Sequence, residues 1–219
     1  MFRRKHYVEV VKCPVCGEYT EKSTNDKTVI IKGKAPESVL PKSYCSPELL
    51  AHVFYEKYAK AVPLERLSKD FKSMEAEIST PTLANWVIEA SERYLKPIYE
   101  QLHTELLKER VIHADETVNP SQGTGLAKAV QYARNEKSYL YAFLEDPQIP
   151  IDNNLAERAV KPFVIGRKNW LFSTSPKGAD ASSAAYSIIN TAQANEIDVK
   201  DYLTNIFRIG ERRLPLKSE

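Results

Sequence analysis

Two acidic residues stand where metal-assisted chemistry would use them. The stretch "VIHADET", residues 111–117, is a short apolar run that ends in Asp115 and Glu116, and "IDNNLAERAV", residues 151–160, holds Glu157 in a helical pattern. A carboxylate at the end of a strand and another on a helix can share divalent cations, Mg²⁺ or Mn²⁺. Directly after Glu157, the segment from Arg158 to Lys177 contains Arg158, Lys161, Arg167, Lys168 and Lys177 and no Asp or Glu, with Trp170 and Phe172 among them. Cations interleaved with aromatic rings suit a nucleic-acid backbone and its bases. An acid beside such a strip fits an enzyme that handles nucleic-acid phosphates with metal ions. Taken one at a time, either acid also reads as a salt-bridged surface carboxylate, and the strip as a solvated face.

Two further constellations carry chemistry. Cys13-Pro14-Val15-Cys16-Gly17 has the spacing of half a zinc knuckle, in which a tight turn brings two thiolates onto one metal. Structural zinc needs four ligands, and Cys45, His6 and His52 are the remaining candidates, none with a second paired spacing. The site stands between a Zn²⁺ half-site at Cys13 and Cys16 and a pair of free thiols. Around residues 64–94, two helical patterns flank a short turn. A helix-turn-helix would present Thr82 and Asn85 to DNA bases, with Arg66, Lys69 and Lys72 meeting phosphates. Two helices and a short turn are equally a packing unit.

The elements that must hold these residues follow from periodicity and punctuation. "HYVEVVKC" and "KTVIIKG" are rich in β-branched residues and predict short strands around the cysteine turn. Ser46 as N-cap with Pro47 behind it predicts a helix burying Leu49, Leu50, Val53, Phe54 and Tyr58, and the pattern stays helical to about residue 110. Leu64, Leu67, Phe71 and Met74 repeat at helical spacing. Thr80 is expected to cap the next helix, with Leu83, Trp86, Val87 and Ala90 as its buried stripe. After the strand at 111–116 and a Gly-containing loop, a helix of roughly twenty residues should end near "FLEDPQIP". Asp152 should cap a helix that Pro162 limits, leaving "FVIGRKNWLFST" extended or looped. "GADASSAAYSIINTAQAN" and "DVKDYLTNIF" predict two closing helices.

With 219 residues and 42% hydrophobic content, the chain can build one good-sized domain or two small ones. Its net charge of +2 makes any nucleic-acid binding a matter of local clusters. Three cysteines, no signal-like segment and no apolar run long enough to span a bilayer point to a reduced cytoplasmic setting without membrane contact.

The strings "HADET", "SPELLAHVFYEKYAKAVPLERLSKDF" and "IDNNLAERAVKPFVIGRKNWLFSTSPKGADASSAAYSIINTAQAN" together resemble the insertion-sequence 66 family of bacterial transposases. The resemblance runs from about residue 7 to 208, and "DNN-x-AER" and "GRKNWLF" are its most specific motifs. It implies a mainly α fold with a small β element, divided into four parts. These are a partial zinc-ribbon-like segment at 1–35, a helical, helix-turn-helix-like DNA-binding region at 46–110, a truncated RNase H-like α/β core of DDE type at 111–175 and a helical tail at 176–210. By position, Asp115 matches the first catalytic Asp and Glu157 the catalytic Glu, together holding Mg²⁺ or Mn²⁺. DNA ends with terminal inverted repeats would be the partner, with an intact transposase or a second copy as further partners and the nucleoid as the place of action. The departures are equally specific. The family places a second catalytic Asp on a strand between these two residues, yet only 41 residues separate them here and no Asp occurs between 116 and 145. Asp146 and Asp152 lie in stretches that match the Glu region, and "CPVCG" matches only the second half of the zinc domain. The chain therefore reads as an internally deleted transposase remnant. The alternative is a non-catalytic module that binds DNA or an intact transposase and modulates transposition.

Overall fold

The computed structural model describes residues 7–12, 30–33, 38–110, 112, 130–132, 134–135, 137, 152, 154–170 and 175–213. The cysteine turn with Cys13 and Cys16, and the whole of "HADET" with Asp115, lie outside these residues. So do all of the expected strand at 111–116 but Ile112, which is not in a strand, and most of the helix expected before "FLEDPQIP"; the described residues between 130 and 137 are helical. The described chain is mostly helical.

The two strands are present and short. Strands β1 (Val10–Lys12) and β2 (Ile30–Lys32) pair antiparallel in the register Val10↔Lys32, Val11↔Ile31 and Lys12↔Ile30, and Gly33 N donates to Glu9 O at 2.8 Å. Tyr7 and Val10 stay exposed, so the hairpin has no apolar face packed on the helices through these residues.

Helix α1 (Pro47–Phe54) starts as its sequence requires. The Ser46 hydroxyl accepts from Leu49 N, Pro47 occupies the first turn where its missing N–H costs nothing, and Leu50, Ala51, Val53 and Phe54 are buried. The helix runs on through a wider π turn, Tyr55–Ala59, that buries Tyr58. Helix α2 (Leu64–Ser73) buries Leu67 and Phe71, but Met74 is half exposed, because the chain leaves the helix there and closes with Ala76 N donating to Phe71 O. Helix α3 (Thr80–Ala90) is capped by Ser79 rather than Thr80. The Ser79 hydroxyl accepts from Thr82 N, which moves the start one residue earlier than expected, and the stripe Leu83, Trp86, Val87 and Ala90 is buried. A second π turn, Ser91–Leu95, carries the same rod into α4 (Lys96–Leu106). It ends two residues before Pro97, which has no N–H to continue the ordinary ladder and so favours a change of register.

Helix α5 (Asn154–Trp170) passes straight through Pro162. The expectation that Pro162 limits this helix, with an extended or looped segment after it, does not hold for residues 163–170. An internal proline costs about 3 kcal/mol, and here packing on both sides offsets it. Before Pro162, Ala156 is buried and Ala159 O accepts from Asn190 Nδ2 at 3.2 Å; after it, Phe163 meets Tyr186 at 5.4 Å between ring centroids and Asn169 Nδ2 donates to Ala61 O at 2.8 Å. Helices α6 (Pro176–Ala194) and α7 (Val199–Arg213) are the two closing helices the sequence predicts. Ser175 caps α6 by accepting from Gly178 N, and Asp198 caps α7 by accepting from Asp201 N.

One hydrophobic core joins the two ends of the described chain. Val39, Leu40, Phe54, Tyr58, Leu83 and Leu95 from the first part pack with Ala185, Ile188, Ile189, Leu203 and Phe207 from the last. Phe54 and Tyr94 both contact Phe207, at 5.4 and 5.8 Å between ring centroids. The Tyr94 hydroxyl donates to Val39 O, and the Tyr58 and Ser182 hydroxyls lie 3.2 Å apart. Gly210 is required beside Tyr94, since a Cβ there would stand 2.3 Å from the ring. The region before residue 110 and the tail after 175 thus fold as one bundle, with the intervening segment leaving from Arg110 and returning through α5.

Candidate nucleic-acid interface

Because α5 is unbroken, its charged residues have a fixed order in space. Glu157, Lys161 and Lys168 are separated by four and then seven residues, which at 3.6 residues per turn places them along one side. All three are exposed, and none has an ion-pair partner among the described residues. Arg158 is exposed on the neighbouring side, its Nε donating to Asn154 O at 3.1 Å. The Arg167 backbone is helical, and its side chain lies outside the description. The opposite side of α5 docks on the bundle through Ala156, Phe163, Gly166 and Trp170.

Trp170 belongs to that docked side. Its ring is partly buried, Tyr58 meets it edge-on at 6.4 Å, and Lys57 Nζ sits 4.0 Å from its centroid. A DNA base stacking on the same ring face would have to displace Lys57. Burial pushes the Lys57 ammonium down to about 8, while the ring face opposes this by favouring the charged form. Gly166, the glycine of "GRKNWLF", has a packing role, since a Cβ there would meet the Tyr186 hydroxyl at 1.9 Å and the Trp170 ring at 2.8 Å. Sequence reading missed both Lys57 and Tyr186. A Gly inside a helical, charged segment is the one signal that would have suggested a close neighbour.

Between α5 and the π turn that follows α1 lies an open cleft of about 260 Å³, lined from α5 by Arg158, Lys161, Pro162 and Ile165, from the π turn and the residues after it by Tyr58, Ala59 and Ala61, and from α6 by Gln193. Among the described residues no carboxylate lines it.

The helix-turn-helix candidates sit at the other helical hairpin. Asn85 is exposed on α3, while Thr82 is half-buried with its hydroxyl 2.8 Å from that of Ser79. Arg66, Lys69 and Lys72 are exposed on α2, and Lys69 is paired with Glu65 at 2.7 Å. The outward positions of the rod beyond Asn85 carry Glu89 and Glu92 before the first cation, Arg93. Burial raises the Glu89 pKa.

The metal candidates do not converge. Glu157 is the one described member of the expected pair, since Asp115 lies outside the described residues, and among those residues no group of three or more His, Cys, Asp or Glu comes together. The nearest charged neighbours of Glu157 along α5 are cations. The described residues therefore do not by themselves make up a divalent-cation site. Cys45, a candidate zinc ligand, is a structural thiol: it is buried, its Sγ donates to Ser46 O at 3.6 Å, and burial pushes it up to about 12. His52 is packed beside Phe71 and 3.9 Å from Glu56.

The family model for the IS66 family of transposases matches residues 42–125 and 119–181. The chain belongs to this family. Among curated relatives, the uncharacterized protein y4hP of Sinorhizobium fredii (strain NBRC 101917 / NGR234) is 31% identical over 111 residues, which is 51% of this chain and 19% of that protein. The uncharacterized protein y4qI of the same organism is 37% identical over 78 residues, 36% of this chain and 14% of that protein. The chain thus spans a fifth or less of the length of the relatives it matches. No solved structure matches it significantly. Among the described residues no helix is long and apolar enough to cross a membrane.

Proposed function

We propose that this IS66-family chain is a transposase remnant that grips DNA without cutting it. The observation that carries this reading is the continuity of α5, which lines up Glu157, Lys161 and Lys168 on one exposed side. In an intact relative that side would place a metal-binding carboxylate among groups that neutralise phosphates, as hydrolysis at an element's ends and attack by the freed 3′-hydroxyl require. Here two supports point to a lost centre. The family match comes as two stretches that overlap only at 119–125, and the sequence offers no Asp between Glu116 and Glu145. Asp115 and Glu157 are then the first and third members of a triad without its second. Two carboxylates cannot hold two ions in line with both the attacking and the leaving oxygen. The helical bundle, whose core among the described residues is built from 39–102 and 170–207, favours retention of a binding role toward DNA or an intact transposase.

The test is a strand-transfer assay with inverted-repeat DNA and Mg²⁺ or Mn²⁺. It compares this chain with a version carrying a relative's central segment between Thr117 and Gly125, each with and without Asp115→Ala or Glu157→Ala. Activity is expected only in the restored chain and should be abolished there by either substitution. Cleavage by the 219-residue chain, removed by Glu157→Ala, would overturn the remnant reading.

A further inference from the structure

The cleft between α5 and the π turn of α1 has a composition that its surroundings make specific. Its lining includes two cations about one helical turn apart on α5, Arg158 and Lys161, and Gln193 of α6. Tyr58, Pro162 and Ile165 add apolar surface to the same lining. The nearest acid on the facing π turn, Glu56, is already engaged by Lys60 at 2.8 Å, and Glu157 lies about 100° round the α5 axis from Arg158 and about 40° from Lys161, so Arg158 is the cation farther from it. The lip of the cleft is also held in place. Ala61 adopts a left-handed backbone conformation, φ 56°, and its carbonyl accepts the Asn169 amide at 2.8 Å. Strained backbone of this kind persists where surrounding contacts over-determine it.

We infer that this cleft receives one phosphodiester unit of a DNA strand, with the phosphate on Arg158 and Lys161, the deoxyribose against Tyr58, Pro162 and Ile165, and the Gln193 amide at its edge. The inference rests on the DNA-binding reading above and assigns it a place. Free phosphate would be satisfied by the two cations alone and would make no use of the apolar lining. The row of cations also continues from Lys161 to Lys168, a distance of about 10 Å along α5 at 1.5 Å per residue, which spans about three nucleotide steps at 3.4 Å. A polymer uses that row, and an isolated anion does not. Asn154 O holds Arg158 Nε, which leaves the outer guanidinium nitrogens directed to other partners.

The experiment is anisotropy of a short labelled DNA duplex titrated with the full chain over a range of salt. Arg158→Gln with Lys161→Gln should reduce the slope of log affinity against log salt by about 2, the value for two lost phosphate contacts. Gln193→Glu puts a carboxylate at the cleft edge and should weaken binding about tenfold, whereas Asn205→Asp, the same charge change on exposed α7, should stay within about twofold. Inorganic phosphate at matched ionic strength should not displace the duplex. Urea unfolding of each variant checks that the bundle is intact. If the unsubstituted chain fails to bind the duplex at low salt, both the DNA-binding reading and the cleft assignment fall. If it binds and Gln193→Glu behaves like Asn205→Asp with the salt slope of the double variant unchanged, only the cleft assignment falls. Displacement by phosphate would make the cleft a free-anion site and overturn the polymer assignment.

Discussion

Helices α5 and α6 touch each other and use opposite means to stay in place. From Ala181 to Ala194, α6 carries no charged side chain and buries Ala181, Ser182, Ala184, Ala185, Tyr186, Ile188, Ile189 and Ala192, so that neighbours close in on several sides. Its alanines and serines bring other backbones near, and its few large residues fill what space is left. Helix α5 docks along one side only and leaves Glu157, Lys161 and Lys168 facing outward. Substitution should therefore cost stability on α6 and its partners, and binding on the outer side of α5.

The largest effect expected from this contrast is at the centre of the bundle. Phe207→Ala removes the ring that Phe54 and Tyr94 share and should cost about 3–5 kcal/mol in urea unfolding, whereas Lys168→Ala should change stability by less than about 0.5 kcal/mol. Equal losses would erase the distinction between the two regions. Next comes the seam between them. Gly166→Ala drives a methyl group into the Tyr186 hydroxyl and the Trp170 ring and should cost about 1–3 kcal/mol. Tyr186→Phe should cost little by itself, because that hydroxyl is buried with no hydrogen-bond partner among the described residues, and burial pushes it up to about 12. The double variant should then recover part of the Gly166→Ala loss. If the two losses simply add, the Gly166 contact with Tyr186 is not what holds α5 close.

A smaller effect is expected at the helix ends. Ala61, Glu75 and Glu196 all have positive φ, at 56°, 58° and 58°, and each follows a helix whose last carbonyls are closed by the next residue: Val62 N to Glu56 O, Ala76 N to Phe71 O and Ile197 N to Ala192 O. Glycine is the residue that normally takes this position. Ala61→Gly, Glu75→Gly and Glu196→Gly should each stabilise by up to about 1 kcal/mol in thermal unfolding, and a loss at any of them would mean the side chain there has a contact worth more than its strain.

The smallest effect is on the surface. Arg208 Nη2 lies 2.5 Å from Glu48 Oε1, and that hydrogen bond is the main reason the Glu48 pKa falls below its ordinary 4.5. A lowered carboxylate pKa stabilises the fold fully above about 4.5 and loses that contribution as pH falls through the lower folded value. Both side chains are half exposed, so the contribution should be under about 1 kcal/mol. Arg208→Gln should be slightly less stable than the parent chain at neutral pH, and the difference should shrink as pH falls below about 4.5 and through the lowered Glu48 pKa. A difference that persists in acid would assign the effect to packing by the arginine stem.

What could be read from the sequence follows the same division. Ser46-Pro47 and the stripe Leu83, Trp86, Val87 and Ala90 announced their helices because caps and periodicity are local signals. The cap at α3 was off by one residue because Ser79 and Thr80 are both competent hydroxyls and only the donor from Thr82 N decides between them. Pro162 misled because the contacts that keep α5 helical come from Ala61, Tyr186 and Asn190, residues far away in the chain. The strip after Glu157 was correctly seen as charged, but its order in space depended on that helix continuing. Trp170 read as a stacking platform, and its inward turn toward Lys57 had no local signature. Gln193 was missed for the same reason, being an ordinary helical residue until α5 is laid beside it.

The shared core of the first and last helices also fixes how the bundle responds to what is strung between them. Residues such as Phe54 and Phe207 meet across a long span of chain, so forming the bundle requires closing that span as a loop. The entropy of closing a flexible loop grows only with the logarithm of its length, so a tenfold longer insert between Arg110 and Asn154 would cost about 2 kcal/mol. That is less than the expected loss from truncating Phe207 alone. The bundle is thus a clasp whose stability depends weakly on the length of chain it encloses, and a lineage could gain or lose most of the segment there while the clasp still closed.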